Sequence, residues 1–326
     1  EIDTKVKRAR VAAALWRATP LRERVRAVRG YWDEVLARKE ELMRVFHEET
    51  GKPLMEIEAM EISGVGLLLK YFSRNAERIL DDRAADHPWM MFNKRTFIRW
   101  APRGVVGLIT PWNYPLLIPV GDAIPALIAG NAVLLKPSEW TSAVALFLED
   151  VAAHYAAFPE GLFSVLPGDG TVGAQVVEAA DMIVFTGSTR TGRRIAQRAA
   201  ELLKPVVLEM GGKHPMIVLK DAALPRAAKA AVWGAFANLG QTCVGGERVF
   251  VERPAYDAFC RLVEQEMAGL RQGAEASYDV DLGRMIFPAQ AEVVHRHLED
   301  ARAKGGRIVG GGLAGGPLAL KPAAIF

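Results

Sequence analysis

The chain has 326 residues, half of them apolar and 24% charged; this is more than one hydrophobic core usually serves, so two domains are expected. Its 41 basic and 38 acidic side chains leave a formal charge of +3, too small to argue for nucleic acid or an anionic membrane as partner. Two cysteines, Cys243 and Cys260, exclude a disulfide framework and suit a reducing compartment, so the expected location is cytoplasmic.

Residues 3–38 and 40–80 carry apolar side chains at helical spacing, for example Val25, Val28, Tyr31, Trp32 and Val35, with Gly51 and Pro53 as the interruption. His47-Glu48-Glu49 begins like a zinc-binding helix, but no second histidine follows at the spacing such a site needs, and no metal is expected. Residues 87–92 and 95–100, with Asn93-Lys94 between them, read as a β-hairpin that needs something else to pack against, plausibly another subunit. Between Arg103 and Lys136 the only charge is Asp122, yet Pro111, Pro115, Pro119 and Pro125 break the run into pieces too short to span a bilayer.

From residue 104 short apolar strands alternate with helical stretches: 105–109, 132–135, 163–166, 182–185 and 206–209. Strict alternation implies right-handed βαβ units and a parallel sheet, whose ligands bind at the carboxyl ends of the strands. A second α/β portion follows, with strands over 216–219 and 249–252 and helices over 227–239, 256–270 and 289–303; residues 310–316 are glycine-rich and loop-like. The chain stops at Phe326 inside an apolar stretch, an ending expected to be a truncation.

The residues after the strands carry the chemistry. Gly187-Ser188-Thr189-Arg190-Thr191-Gly192 opens a helix directly after a strand, where free N–H groups suit a phosphate, although a glycine turn at that place also serves packing. Lys136 and Glu139 can hydrogen-bond the hydroxyls of a ribose, or form a plain surface ion pair. Glu209 ends an apolar strand before two glycines, where partial burial would suit a general base. Asn113 can offer its amide to a developing oxyanion, with the Cys243 main-chain N–H as second donor. Cys243 sits among Gly240, Gly245 and Gly246 in a turn between helix and strand, open to an electrophilic carbon; the alternative is a small buried hydrophobe.

The ordered motifs Pro111-Trp112-Asn113-Tyr114-Pro115, Lys136-Pro137-Ser138-Glu139, Phe185-Thr186-Gly187-Ser188, Leu208-Glu209-Met210-Gly211-Gly212-Lys213 and Gly240-Gln241-Thr242-Cys243 resemble the NAD(P)-dependent aldehyde dehydrogenase superfamily from about Asp3 to the end. The resemblance implies an α/β fold: a Rossmann-like parallel-sheet dinucleotide-binding domain over 1–83 and 104–214, an oligomerisation hairpin over 84–103, and an incomplete α/β catalytic domain over 215–326. It implies Cys243 as nucleophile, Glu209 as base and Asn113 as oxyanion donor. The implied cofactor site comprises Ile109, Thr110, Pro111, Trp112, Lys136, Glu139, Gly170, Gly173, Thr186, Gly187, Ser188, Gly192, Met210 and Gly211. The implied cofactor is NAD, with NADP as the alternative, the substrate a small-molecule aldehyde oxidised to a carboxylate, and the assembly a homo-dimer or tetramer of the completed chain. Readings from other classes are a non-catalytic remnant that binds dinucleotide or only assembles, and an esterase working through Cys243 without cofactor.

Overall fold

A computed structural model describes residues 2–312, 318 and 320–326. Two compact units form: one from the N-terminal residues through Lys39 together with Ile62–Glu209, the other from Glu40–Glu61 together with the described part of Met210–Phe326. The first 83 residues are therefore not of one piece, contrary to the sequence expectation. Residues 40–61 lie in the second unit, where Glu56 accepts the main-chain N–H of Asn238 and the Gly51 carbonyl meets Gly283.

In chain order the first elements are helices α1 (Ile2–Ala18), α2 (Leu21–Ala37) and α3 (Lys39–Thr50), then the short α4 (Leu54–Glu56) running into a wide π-helical turn (Ile57–Ile62), and α5 (Ser63–Leu80). On α2 the buried residues Ala27, Val28, Tyr31, Trp32 and Val35 follow the period of one helix face. Strands β1 (Arg83–Ala85) and β2 (Thr96–Ile98) pair antiparallel, Ala84 opposite Phe97. This corrects the expected hairpin. The first paired strand precedes residue 87, and Trp89–Met91 form a turn of 3-10 helix inside a longer connection instead of a strand. Pro88 supplies the extended entry that ends strand geometry there.

The sheet of the first unit comprises β3 (Val105–Ile109), β4 (Ala132–Lys136), β5 (Phe163–Val165), β6 (Met182–Gly187) and β7 (Val206–Met210), in the order β5-β4-β3-β6-β7. Helices α6 (Leu117–Ile128), α7 (Ala143–His154), α8 (Gly170–Ala179) and α9 (Thr189–Glu201) connect successive strands. Every residue of β3, β4 and β5 is buried, as expected for parallel strands covered on both faces. Chain order reverses between β3 and β6, the position at which open α/β sheets leave a ligand crevice.

The second unit adds β8 (Pro215–Val218), α10 (Leu224–Phe236), β9 (Arg248–Val251), α11 (Arg253–Ala268), α12 (Pro288–Ala303), β10 (Ile308–Gly310) and β11 (Ala323–Ile325). Strands β8 and β9 are parallel and β10 and β11 antiparallel; Val218, Ala228, Val232, Phe259 and Val263 form a core between β8, α10 and α11. Of the expected glycine-rich loop 310–316, residues 313–316 lie outside the described residues. Among the described residues, no helix is long and apolar enough to cross a membrane.

Two consequences are measurable. Trp16 of α1 is almost wholly buried, donates its indole N–H to the Leu127 carbonyl at 2.7 Å and meets Phe158 edge-on at 5.7 Å between ring centroids. Trp16→Ala is expected to cost about 3–5 kcal/mol, read as a lowered urea midpoint, through the cavity and the orphaned carbonyl. Asp122 of α6 is pushed up to about 6 by burial and, secondarily, by the charge of Glu209. The fold therefore favours the neutral acid, so no stability is lost below the unfolded value of 3.8, and ionisation weakens the fold as pH rises through about 6. Asp122→Asn should be the more stable protein by on the order of 1–3 kcal/mol near about pH 8 and nearly equal near about pH 4, as urea titrations at both conditions would show.

Candidate active site

The strand register collects the predicted loops of the first unit. Ile109 pairs with Lys136 on one side and with Phe185 on the other, so β3 and β4 end level with one another and β6 runs two residues further, to Gly187. Thr110, Pro111 and Trp112, the Lys136–Glu139 turn, and the Thr186–Ser188 turn therefore leave the sheet at one edge, beside the reversal point. Lys136 is buried with its Nζ 3.2 Å from Glu139 Oε2, while the Glu139 carboxylate is half exposed. That arrangement presents a carboxylate to solvent and backs it with a fixed cation.

Helix starts at this edge are capped by the chain itself. Asp169 Oδ1 accepts the Thr171 N–H at 2.8 Å at the start of α8, which holds its carboxyl below the usual range. Ser188 Oγ accepts the Thr191 N–H at 3.3 Å at the start of α9, on which Gly192 is buried. A Cβ at Gly187 would stand 2.6 Å from the Phe185 ring, so glycine there is a packing requirement. At Gly170 and Gly173, by contrast, a Cβ would meet nothing within 4 Å. Thr110 Oγ1, one residue past the end of β3, is buried with no hydrogen-bond partner among the described residues, a polar atom that a polar ligand could satisfy. A lysine–glutamate pair and an unsatisfied hydroxyl at this edge suit the polar groups of a nucleotide.

Asn113 belongs to the turn between β3 and α6, and Glu209 to the end of β7, both in the first unit. Met210 is the last residue of β7 and Gly211 follows it; the division between the units falls between Glu209 and Met210.

Cys243 belongs to the second unit and is half-buried. The backbone leading to it is strained: Asn238, Leu239 and Gly240 all take left-handed conformations, at φ of 55, 53 and 75°. For the two non-glycine residues such conformations cost on the order of 1–3 kcal/mol each, and persist only where surrounding contacts over-determine them. Those contacts are specific. Glu56 Oε1 accepts the Asn238 N–H at 2.6 Å, Asn238 Nδ2 donates to the Gln241 carbonyl at 3.1 Å, and Gln241 Nε2 donates to the Asn238 carbonyl at 2.9 Å. Gln241 Oε1 in turn accepts the Ile286 N–H at 2.8 Å. On the other side His214 Nε2 bonds the Cys243 carbonyl at 2.8 Å, and Thr242 Oγ1 donates to the Ala237 carbonyl at 3.1 Å.

Beneath the turn, Lys52 Nζ lies 2.5 Å from Glu61 Oε1, both fully enclosed. Burial pushes the Glu56 carboxyl above its usual range; the Asn238 N–H and Lys52 pull it back, and the Glu61 charge adds to the rise. Sequence reading missed this support. Glu56 stands 182 positions from the residue it bonds, and no local pattern marks the pairing. His214 had a signal in its place, next to Gly211-Gly212-Lys213, but none in its direction.

Comparison with known proteins agrees with these motifs. The sequence profile described as "Aldehyde dehydrogenase family" matches residues 1–322. A Mycobacterium tuberculosis protein provisionally named succinate-semialdehyde dehydrogenase (NADP+) 2 is 36% identical over 310 residues, 95% of this chain and 59% of that protein. A Methylomonas protein named 4,4'-diapolycopene aldehyde oxidase is 39% identical over 308 residues, 94% of this chain and 58% of its own length. The crystal structure of a Mycobacterium tuberculosis aldehyde dehydrogenase complexed with NAD+ superposes with a TM-score of 0.92 at 31% identity, covering 99% of this chain and 68% of that one. The chain thus spans about three fifths of the length of the curated relatives it matches. With the fold, the motif order and a profile match over almost all of its residues in agreement, the chain belongs to the aldehyde dehydrogenase family.

Proposed function

We propose that the protein to which this chain belongs oxidises an aldehyde to a carboxylate, with NAD or NADP as acceptor and Cys243 as nucleophile. The observation that carries the reading is the Cys243 turn: a half-buried thiol behind a strained backbone clamped by buried hydrogen bonds, in a chain that also carries a sheet edge fitted to a nucleotide. Strain held in that way is characteristic of reactive positions and has no use for a packing cysteine. Cys260, buried on α11, is the contrasting case; burial pushes its thiol up.

On this reading the Cys243 thiolate bonds to the aldehyde carbon while the carbonyl electron pair moves onto oxygen. The Asn113 amide and the Cys243 main-chain N–H stabilise that oxyanion. A nicotinamide dinucleotide, when bound, supplies the two-electron acceptor. The resulting thioester is hydrolysed by water that gives its proton to Glu209, releasing carboxylate and restoring the thiol. Residues Ile109 to Trp112, Lys136, Glu139, Gly170, Gly173, Thr186 to Ser188 and Gly192 would hold the cofactor, joined by Met210 and Gly211. Glu139 disfavours a 2'-phosphate, so NAD is the preferred form, and a reducing cytoplasm suits the free thiols. The relatives' names differ in substrate, which leaves the aldehyde at the level of its class. Neither the esterase nor the non-catalytic remnant draws support from those names.

Assembly follows from the other exposed feature. Trp89 and Phe92, each 84% exposed, sit with Phe97, Ile98 and Trp100 on the β1–β2 ribbon, and we read this apolar surface as the homo-oligomer contact.

With the complete protein, aldehyde and NAD should yield absorbance of the reduced cofactor. Cys243→Ser should abolish it, Asn113→Ala should lower kcat about 100- to 1,000-fold, and Glu209→Gln about 100- to 10,000-fold with acyl-enzyme visible by mass spectrometry. A Cys243→Ser protein with undiminished turnover would end the proposal. Trp89→Ser combined with Phe92→Ser should lower the oligomeric state in sedimentation velocity; an unchanged assembly would remove the ribbon from the interface.

A further inference from the structure

The buried acidic pair of the second unit is an expensive construction. Glu56 and Glu61 are both enclosed beside the cation Lys52, which Glu61 holds directly. Such a group is tolerated only where its hydrogen bonds are strong and its place is needed. Lys52 and Glu61 satisfy each other. Glu56 is turned elsewhere, onto the N–H of the first of three consecutive left-handed residues.

The chain is built to bring it there. Close approach of Gly283 to the Gly51 carbonyl, where a Cβ would overlap, lets Gly51 and Pro53 lie against Gly283 and Arg284. The Ile286 N–H holds the Gln241 side chain on that same side. The wide turn Ile57–Ile62 then follows Glu56 directly, and Glu61, within it, returns to Lys52. Turns of this wide kind are often found at functional positions.

We propose that Glu56 is a positioning residue for Cys243. Its carboxylate holds the Asn238 N–H, the left-handed turn 238–240 is thereby kept, and the turn aims the Cys243 thiol and main-chain N–H through Gln241 and Thr242. The role rests on Cys243 as nucleophile, as proposed above. An enclosed acceptor oxygen placed at hydrogen-bond distance from the Asn238 N–H offsets the backbone strain, so it is the reach of the side chain that matters. Geometry at the reacting atom is where small displacements are costly, so the effect reaches reactivity before it reaches folding.

The experiment compares Glu56→Gln, which keeps an acceptor oxygen at the same reach, with Glu56→Asp, which keeps the charge and withdraws it by one methylene. Amide hydrogen exchange over residues 237–246 reports the turn. The burst of p-nitrophenolate from p-nitrophenyl acetate reports the thiol without cofactor: the Cys243 S–C bond forms as the ester C–O bond breaks and nitrophenolate leaves. Iodoacetamide labelling of buried Cys260 serves as control for loss of the fold. Expected for Glu56→Asp are about tenfold faster exchange at Asn238 to Cys243 and a burst rate down about tenfold, with Cys260 still protected. Glu56→Gln should stay within about threefold of the parent in both. A Glu56→Asp protein with parental exchange and burst would overturn the proposal, as would a Glu56→Gln protein as impaired as Glu56→Asp. Should the parent show no burst while Glu56→Asp still loosens the turn, the nucleophile reading fails and the hold of Glu56 on the turn stands.

Discussion

The parallel pairing of β3 with β4 and β6 is the constraint from which the first unit follows. Main-chain groups of these strands are buried, so each must find its partner in a neighbouring strand, and only one register satisfies all of them while keeping the apolar side chains enclosed. Once that register is set, Ile109, Lys136 and Phe185 lie side by side, and everything polar in this part of the chain is displaced to the strand ends. A lysine at the last position of β4 is buried there because Glu139, three residues later, meets it. The site edge is thus what remains when the interior has been made dry.

The second unit solves a different problem. Its reactive candidate does not sit at the end of a regular strand but after a backbone segment that regular structure does not provide. Helix α10 ends at Phe236, and after Ala237 the chain passes into left-handed geometry at Asn238. Support comes from far along the chain: from Glu56 below, from Ile286 through Gln241, and from His214 at the Cys243 carbonyl. Both non-glycine residues of the turn are themselves buried, Leu239 among Leu282, Met285 and Ala291. Packing and hydrogen bonding therefore act on the same few atoms.

Charge is handled consistently in both units. Several enclosed or partly enclosed charged groups lie beside candidate chemistry: Lys136 at the sheet edge, Asp122 within the field of Glu209, and the Lys52–Glu56–Glu61 group under the Cys243 turn. Desolvation moves Asp122 and Glu56 toward their neutral forms. At Glu56 the Asn238 N–H and Lys52 oppose this shift.

Alternation of short apolar runs with helical stretches was enough to place β3 to β7 to within about two residues, because strand and helix periods are local properties of the chain. The motif residues after those strands were readable for the same reason, since a strand's end is visible in its own sequence. The hairpin was misplaced because pairing partners are chosen by the ribbon as a whole: residues 83–85 carry little β signal and pair nonetheless, while aromatic residues 89–92 look strand-like and turn. Assignment of residues 40–61 to the second unit, and the grip of Glu56 on Asn238, could not be read at all. They depend on buried polar groups meeting across 182 positions, and only the folded chain decides which charge is enclosed beside which N–H.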